Sequence, residues 1–325
     1  MDRPASTDFA TDKSYNRPML EIRDIRLGLD EPMEAIEDKL KALLPGADFS
    51  YEIKKESLDA RRRQGQLTFL YQVYVTLDPV AEKREASFIN HVNIFPGPVE
   101  ESTITLGKAA LGSGIRPIVV GFGPAGIFAA YLLAQYGYRP IVLERGQAVE
   151  ERKISIEQFW EGGPLNTESN VQFGEGGAGS FSDGKLTSRS KDPWTAMVKK
   201  IFIKHGAPED ILYSHESHIG TDLLRDVIRS MREQIIAWGG DIHFNTKMED
   251  MAFPPDIKGP YPVVRTTKGA WQGPVFLAIG HSARDSFRML VERGLEAEAK
   301  AFAVGFRVEH KQSFVDRARY GKDAG

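Results

Sequence analysis

The sequence predicts an α/β protein in which a smaller α+β unit comes first. Residues 116–146 run as an apolar strand, a glycine turn, an amphipathic helix and a second apolar strand, the order of a parallel βαβ unit. Helical stripes and short apolar strands continue beyond this unit. Before residue 100, strand-like segments surround one helical stripe, which is typical of a mixed α+β unit.

The N-terminal unit contains three predicted strands and one predicted helix. Residues 20–29, 69–77 and 87–95 have the strand-like composition and alternation of half-buried strands. Residues 31–46 are predicted as a helix that follows the capping residue Asp30 and ends at a Pro-Gly pair. The apolar stripe of this helix comprises Met33, Ile36, Leu40, Leu43 and Leu44.

Two longer helices and a group of strands follow the βαβ unit. Residues 192–206 and 221–240 are predicted as helices, the second capped by Thr221. Residues 274–280 are predicted to return as a strand beside the first strand of the βαβ unit. A helix then begins near Ser282, which is one candidate for its cap. The stripe of the second long helix comprises Leu223, Leu224, Val227, Ile228, Met231 and Ile235.

The segment GFGPAG, residues 121–126, carries the spacing of a dinucleotide-binding turn. Gly121 allows the tight turn, Gly123 lets the backbone approach a pyrophosphate, and Gly126 lets helix and strand pack closely. Free amides at the start of the helix then face the phosphates, helped by the helix dipole. The sequence therefore predicts a Rossmann-like dinucleotide site. Its expected contact residues are Gly121, Gly123, Pro124, Ala125 and Gly126.

The second strand of the unit ends in Glu144, roughly 20 positions after the glycine turn, where this fold places an acidic residue. A carboxylate there accepts hydrogen bonds from the hydroxyls of an adenosine ribose and repels a 2′-phosphate. NADP is therefore disfavoured, whereas FAD and NAD both remain open. Arg145 either lies along the adenine or is a solvated surface arginine.

A second glycine-rich stretch, VQFGEGGAGSFSDGKLTSR at residues 171–189, repeats the GxGxxG spacing from Gly174. No buried strand precedes it and no helical stripe follows it, so the phosphate-binding mechanism of the first motif does not apply. FAD is longer than the crevice at one helix end and needs further close backbone approach, which glycines allow. We therefore expect this stretch to contact the same cofactor. The expected contact residues are Gly176, Gly177, Ala178, Gly179 and Ser180.

Four segments occur in a fixed order: GFGPAGIFAAYLLAQYGYRPIVLERG, FGEGGAGSFSDGKLTSR, SHIGTD and LAIGHSARD. In this order they resemble the bacterial FAD-dependent dehydrogenase family, in which a small α+β domain precedes an FAD domain of the glutathione-reductase type. The resemblance covers nearly all of the chain from about residue 18. It implies an FAD-dependent oxidoreductase, with NAD(P)H as a candidate electron donor. Because the family continues well past residue 325, the chain is expected to be truncated at its C-terminus.

The resemblance also implies further contacts with the flavin. Gly280, in the turn after the returning strand, is expected near the cofactor. Asp183 and Lys185 lie just beyond the second glycine-rich stretch and are implied as contacts too. Lys185 would stabilise negative charge on a reduced flavin, with Asp183 orienting it. The alternative is an Asp-Gly turn followed by a solvated lysine.

Lys185, His218 and His281 are the candidate catalytic residues. Histidine titrates near pH ~6.5, which suits general acid or base catalysis. For both histidines a structural role in a turn is the alternative. Together with His215 they lack the carboxylate pattern and spacing of a metal site, so no metal is expected.

The composition excludes several classes of protein. The chain has 325 residues, a net charge of −3 and no cysteine. Disulfides, thiolate nucleophiles and redox-active dithiols are therefore excluded within it, so electrons must pass directly between flavin and substrate. The small net charge predicts no bulk attraction to nucleic acid or anionic membranes. No apolar run approaches the ~18 residues of a membrane span and no signal-peptide core is present, so the cytoplasm is expected.

The leading hypothesis is an FAD-dependent oxidoreductase that acts on an unknown small molecule. Two alternatives stay open: a flavin-dependent RNA-modifying enzyme and a non-catalytic dinucleotide sensor. The RNA alternative depends on the basic cluster Lys54, Lys55 and Arg61–Arg63, for which a solvated loop is the simpler interpretation. The predicted divisions are a flexible tail (1–17), an N-terminal α+β domain (18–108), an FAD-binding domain (109–285) and the start of an incomplete substrate or cap region (286–325).

Overall fold

The computed structural model describes residues 19–60, 67–78, 87–88, 93–96, 114–181, 184–186, 194–214, 217–253, 260–306 and 308–321. The chain divides into two compact units. The first comprises Met1–Thr103, Leu212–Ser217 and Val304–Gly325, and the second comprises Ile104–Ile211 and His218–Ala303. The domain limits drawn from the sequence stay predictions.

The first unit is built on a four-stranded antiparallel sheet with the strand order β2-β3-β1-β4. Apolar side chains of β1 and β3, such as Leu20, Ile22, Val73 and Val75, pack against Leu40 of the first helix and are fully buried. The elements are β1 (Met19–Gly28), α1 (Ala35–Leu43), β2 (Phe49–Asp59), β3 (Thr68–Leu77), β4 (Ile94–Pro96) and, near the C-terminus, α7 (Gln312–Tyr320).

The predicted helix of this unit is shorter than the sequence indicated. It begins at Ala35, after Glu34, and no side chain caps it, so Asp30 does not act as its cap. Leu44 lies just past the end of the helix but is buried, as expected, whereas Met33 is 37% exposed. The residues before Ala35 form a turn instead.

The predicted strands of this unit are partly wrong. The strand β2 was missed because Lys54 and Lys55 interrupt its alternation, and the register of β2 on β3 shifts between Ile53 and Lys55. The predicted strand 87–95 is confirmed only at its end: Ser87 and Phe88 are helical, and β4 begins at Ile94.

The second unit contains a four-stranded parallel sheet in the order β11-β5-β6-β7, which confirms the α/β fold class. The predicted return of residues 274–280 is also confirmed, because β11 pairs in parallel with β5. A three-stranded antiparallel sheet, β10-β9-β8, lies between β7 and β11 in the chain. The elements are β5 (Ile118–Val120), α2 (Pro124–Gln135), β6 (Ile141–Leu143), α3 (Val149–Trp160), α4 (Trp194–Lys204), α5 (Thr221–Ala237), β7 (Asp241–His243), β8 (Met248–Ala252), β9 (Val263–Thr266), β10 (Gly269–Gln272), β11 (Val275–Leu277) and α6 (Arg284–Glu292).

The parallel sheet is covered on both faces, as its continuous apolar strands require. Val119 and Val142 belong to the core formed with α2, α4 and α5. Ile118 and Val120, which alternate with Val119, pack with Val264 and the rest of the antiparallel sheet on the other face. The chain thus forms three layers around β5.

The strand order reverses at β5. From β5 the chain passes to β6 and β7 on one side, and it returns to the other side as β11. In open α/β sheets, ligands bind outside the carboxyl ends of the strands at such a reversal. The carboxyl end of β5 is Val120, directly before GFGPAG.

Two further predicted helix caps are wrong. The helix α5 follows Gly220 without a side-chain cap, and Thr221 is already helical. Ser282 precedes the capping position of α6, and its hydroxyl donates instead to Gln172 Oε1 at 2.9 Å. The stripe of α5 is buried as predicted except for Leu223, which is 38% exposed. In the portion of the chain that the structure describes, no helix combines the length and apolar character that crossing a membrane requires.

A half-buried polar contact joins α2, α5 and the turn after α4 behind the sheet. Tyr131 of α2 is fully buried, and its hydroxyl lies 3.0 Å from His205 Nε2. His205 Nδ1 lies 2.9 Å from the hydroxyl of Ser230 on α5. Burial raises the pKa of Tyr131 to about 12 and lowers that of His205, so both side chains are neutral at pH 7.

We expect Tyr131→Phe to lower the free energy of unfolding by about 0.5–1.5 kcal/mol, because a half-buried imidazole nitrogen of His205 loses its hydrogen-bond partner. Urea unfolding measures the change. Tyr136→Phe is the matched control, since Tyr136 follows the same helix and lies outside this contact. Equal effects of the two substitutions would contradict the assigned contact.

Candidate functional site

Two glycines of GFGPAG are required by packing. Gly121 has a φ of +97°, and a Cβ on it would lie 2.4 Å from the carbonyl oxygen of Ala278. A Cβ on Gly126 would lie 1.9 Å from the carbonyl oxygen of Gly121. Both residues must therefore be glycine for α2 to pack where β5 and β11 end.

Gly123 has no such structural requirement. Its φ is −75°, and a Cβ on it would meet no atom closer than Gly177 Cα at 3.9 Å, an ordinary contact. The two residues after it, Pro124 and Ala125, are exposed. The fold would accept alanine at position 123, so packing within the protein does not require glycine there. The glycine instead keeps the space in front of the turn open.

The N-terminus of α2 also fits an anionic group. No side chain caps this helix, and its first turn contains no acidic residue. The first amides of a helix have no partners within it, and the helix dipole favours negative charge there. Backbone donors, open space at Gly123 and the strand-order reversal thus coincide at one place, and they match the chemistry of a pyrophosphate.

Glu144 joins the glycine turn to the second glycine-rich stretch. Its side chain is buried, with 4% of the residue exposed. Oε2 accepts the amide of Phe122 at 2.6 Å, and Oε1 accepts the amides of Gly146 at 2.8 Å and Gly174 at 3.0 Å. A carboxylate offers about four acceptor positions, so Oε2 has one left for a further donor. The sequence indicated the position of this carboxylate but not its backbone partners.

Arg145 is held by protein groups. Its guanidinium lies 4.1 Å from the centre of the Phe173 ring and pairs with Glu168 at 2.6 Å and Asp285 at 2.9 Å. Lys247 pairs with the same two carboxylates. These ion pairs hold the pKa of Asp285 well below its usual range. Contact of Arg145 with an adenine stays a prediction.

The second glycine-rich stretch lies against the first. The amide of Gly176 donates to the carbonyl oxygen of Phe122 at 2.8 Å. A Cβ on Gly177 would lie 3.0 Å from Pro124 Cδ and 3.4 Å from Gly123 Cα. A short 3₁₀ helix over Gly177–Phe181 follows, in which Ser180 is buried and Ala178 is exposed. The two stretches are therefore neighbours at one site, which the sequence pattern alone did not establish.

The structure brings two of the three catalytic candidates together. Lys185 and His218 form an isolated antiparallel bridge, and both are exposed. Side chains directly opposite each other in such a bridge lie on the same face. His281 is exposed in the turn after β11 next to Gly280, which has a φ of +70°. Asp183 lies outside the described residues.

No sequence pattern indicated the buried charges behind the second stretch. Arg152 and Glu175 are both fully buried. One oxygen of Glu175, Oε2, accepts the amide of Val149 at 2.8 Å and Nη1 of Arg232 at 2.6 Å. Burial outweighs these contacts and raises the pKa of Glu175 to about 7. Only a three-dimensional structure shows that these charges converge, because they come from three separate segments.

Comparisons with known proteins give one close sequence relative. The chain is 43% identical over 309 residues to an uncharacterized protein of Clostridium beijerinckii, a match that covers 94% of this chain and 56% of that protein. The chain thus spans little more than half the length of this relative. No protein-family model matches the chain. The resemblance to the FAD-dependent dehydrogenase family stays a prediction.

Several solved structures resemble part of the chain at low similarity. THI4 of Thermovibrio ammonificans is 17% identical with a TM-score of 0.34, over 56% of this chain and 64% of that chain. Glycine oxidase of Geobacillus kaustophilus is 14% identical with a TM-score of 0.33, over 55% and 58%. Thioredoxin reductase of Lactococcus lactis is 14% identical with a TM-score of 0.28, over 51% and 35%. The fold class follows from the strand order and not from these likenesses.

We expect Glu144→Gln to destabilise the protein by about 2–4 kcal/mol, because an amide NH₂ would face a buried backbone N–H and leave donors unpaired. Urea unfolding measures the loss. Glu168→Gln is the control, since Glu168 is 42% exposed in its ion pairs and such pairs are worth about 0–1 kcal/mol. A Glu144→Gln loss no larger than the control loss would contradict the assigned role.

Glu175 should make stability depend on pH. Its pKa rises from 4.5 to about 7 on folding, so the folded chain binds this proton more tightly than the unfolded chain. Its contribution is then fully present below pH 4.5 and is lost as the pH rises through about 7. Between pH 5 and 8 we expect Glu175→Gln to remove about 1–3 kcal/mol of this dependence in urea unfolding. Glu150→Gln is the control, because it changes an exposed partner of Arg232. It should leave the pH dependence of the free energy of unfolding between pH 5 and 8 unchanged.

Proposed function

We propose that this chain binds FAD at the glycine turn and that the protein is an FAD-dependent oxidoreductase acting on a small molecule. The observation that supports this most directly is Gly123. No protein contact requires glycine at this position, which lies at the uncapped start of α2. Amides in the first turn of α2 would hold the pyrophosphate, and Glu144 Oε2 would accept a ribose hydroxyl.

The second glycine-rich stretch favours FAD over NAD. It lies directly against Gly123 and Pro124, so that a cofactor anchored at the turn would run past it. Gly177 bears no side chain where the stretch lies against Gly123, which suits a long cofactor in close approach. Glycine at position 176 is required by the protein itself, because a Cβ there would lie 1.9 Å from Ser180 Oγ. Ala178 and Gly179 continue this contact surface in the proposal, whereas Ser180 is fully buried.

FAD, when bound, takes up or gives up electrons as hydride or singly. In the proposal, Lys185 balances negative charge and His218 holds or releases a proton, since the bridge places them side by side. His281 is a further candidate on the turn after β11. With no cysteine in the chain, no dithiol relays the electrons within it. NADH or NADPH is the proposed donor to the flavin, and the cytoplasm is the proposed location.

An RNA-modifying flavoenzyme remains a second candidate because of one row of side chains on the first unit's sheet. Tyr74 and Phe95 lie opposite Glu21 in this row. Lys54 Nζ lies 4.9 Å from the Tyr74 ring centre, and the Arg23 guanidinium lies 4.4 Å from that of Phe95. Aromatic rings and cations on a sheet face are typical of single-stranded RNA binders. Glu21 would repel phosphate, so this candidate ranks second.

Filter binding of single-stranded RNA at low salt separates the two candidates. Retention that Tyr74→Ala abolishes and that falls steeply with salt supports the RNA candidate. Absence of retention removes it. Lys54 and Lys55 of the basic cluster lie on β2, whereas Arg61–Arg63 lie outside the described residues.

We expect Gly123→Ala to weaken FAD binding at least about tenfold while leaving the thermal unfolding temperature unchanged, because the new methyl group meets no protein atom closer than 3.9 Å but occupies the space proposed for the pyrophosphate. Flavin fluorescence titration measures the dissociation constant. Gly28→Ala is the matched control, since it too adds a methyl group at ordinary contact distance.

Unchanged FAD affinity in Gly123→Ala would contradict the proposed site. Wild-type protein that binds NAD but no flavin would contradict the proposed cofactor. Tight FAD binding without reduction by NADH, NADPH or a chemical donor would favour the dinucleotide sensor instead.

A further inference from the structure

Arg152 binds the backbone of the second glycine-rich stretch from behind. It is fully buried on α3, and its guanidinium donates to three carbonyl oxygens. Nε donates to the carbonyl oxygen of Asn170 at 2.9 Å, and Nη2 donates to the carbonyl oxygen of Val171 at 3.0 Å. Nη1 donates to the carbonyl oxygen of Glu175. A planar guanidinium fixes the relative positions of three such acceptors, which a lysine ammonium does not.

Arg152 is retained in this place at an energetic cost. Burial lowers its pKa to about 10, although the carboxylates of Glu144 and Glu175 act in the opposite direction. Its guanidinium also lies 4.6 Å from the ring centre of Phe181, the last residue of the 3₁₀ helix in the stretch. Within the described part of the chain, the guanidinium donates to main-chain oxygens and to no carboxylate of its own. We therefore assign Arg152 the role of holding this backbone in position.

Glu175 fixes the same stretch through its side chain. Its Oε2 accepts the Val149 amide at the start of α3 and a nitrogen of Arg232 on α5. Its Oε1 is buried and has no hydrogen-bond partner among the residues that the structure describes. A buried acceptor without a partner is unfavourable. The two contacts of Oε2 join the second glycine-rich stretch to α3 and α5, which indicates that Glu175 fixes the stretch in place.

The segment held in this way forms one wall of the proposed cofactor site. Gly174, Gly176 and Gly177 all have positive φ, and the amide of Gly176 donates to the carbonyl oxygen of Phe122 in the glycine turn. None of these glycines has a side chain to anchor it. The anchoring comes instead from Arg152 and Glu175, on the side away from the turn.

We propose that Arg152 and Glu175 are positioning residues that hold the backbone of Gly174–Gly177 against the glycine turn, so that one FAD contacts both. The identity of the ligand, FAD, rests on the proposed function. The position of Gly174–Gly177 against the glycine turn is a property of the cofactor-free chain. The two parts can therefore be measured separately.

The test compares Arg152→Lys with wild type in two measurements. In the cofactor-free 325-residue chain, amide hydrogen exchange at Gly176 should speed up at least about tenfold, which corresponds to the net loss of one hydrogen bond. Exchange in β5 and α2 should stay within twofold of wild type. The FAD dissociation constant should rise about tenfold. Arg229→Lys is the matched control, an exposed arginine with the same substitution, and should change neither quantity.

Several outcomes overturn the proposal. Exchange at Gly176 that stays within twofold of wild type removes the positioning role. Exchange that rises equally in β5 and α2 assigns Arg152 to general stability instead. If Arg152→Lys does not fold, Glu175→Ala is judged by the same criteria, because it removes both anchors of that side chain. Wild type that binds no FAD contradicts the proposed function, while the exchange result still decides whether the segment is held.

Discussion

The arrangement of the site depends on one buried carboxylate. Glu144 accepts backbone amides from the glycine turn, from its own turn after β6 and from the second glycine-rich stretch. Charged acceptors bind backbone amides more strongly than neutral ones, and a buried carboxylate is stable only when its oxygens are satisfied. Three segments that are distant in sequence are thereby fixed around one point. Arg152 and Glu175 complete the arrangement from behind, where they hold the far side of the second stretch.

Both glycine-rich stretches need glycine for close packing and for backbone conformation. Backbone atoms leave no room for a methyl group at Gly121, where φ is also positive, or at Gly126. Gly174, Gly176 and Gly177 have positive φ, which side chains disfavour, and a Cβ on Gly174 or Gly176 would also clash with a neighbouring side chain. Gly123 meets neither condition. The repeated GxGxxG spacing nevertheless describes two unlike structures, of which only the first joins a strand to a helix.

Local sequence patterns predicted much of the fold. They predicted few of the side-chain contacts that hold the candidate site together. The βαβ unit was predictable because β5, α2 and β6 are contiguous, and their apolar runs and glycines follow known spacing. The return of β11 beside β5 was also predicted correctly. The strand β2 was missed because a local register shift at Lys54 and Lys55 hides its alternation. The contacts of Arg152, Glu175 and Arg145 could not be predicted, because each joins segments whose proximity exists only in the folded chain.

Gly123 separates the requirements of folding from those of binding within a single residue. At most positions of a site, natural variation is restricted by both requirements, so sequence differences between relatives do not reveal which one acts. Here the fold tolerates a methyl group, so any selection against alanine acts through the ligand. Descendants that keep the ligand should retain this glycine, whereas a lineage that has lost the ligand can drift at this position and still fold. If the proposed cofactor site is correct, the residue at position 123 in a homologue serves as a historical marker of whether that site is still in use.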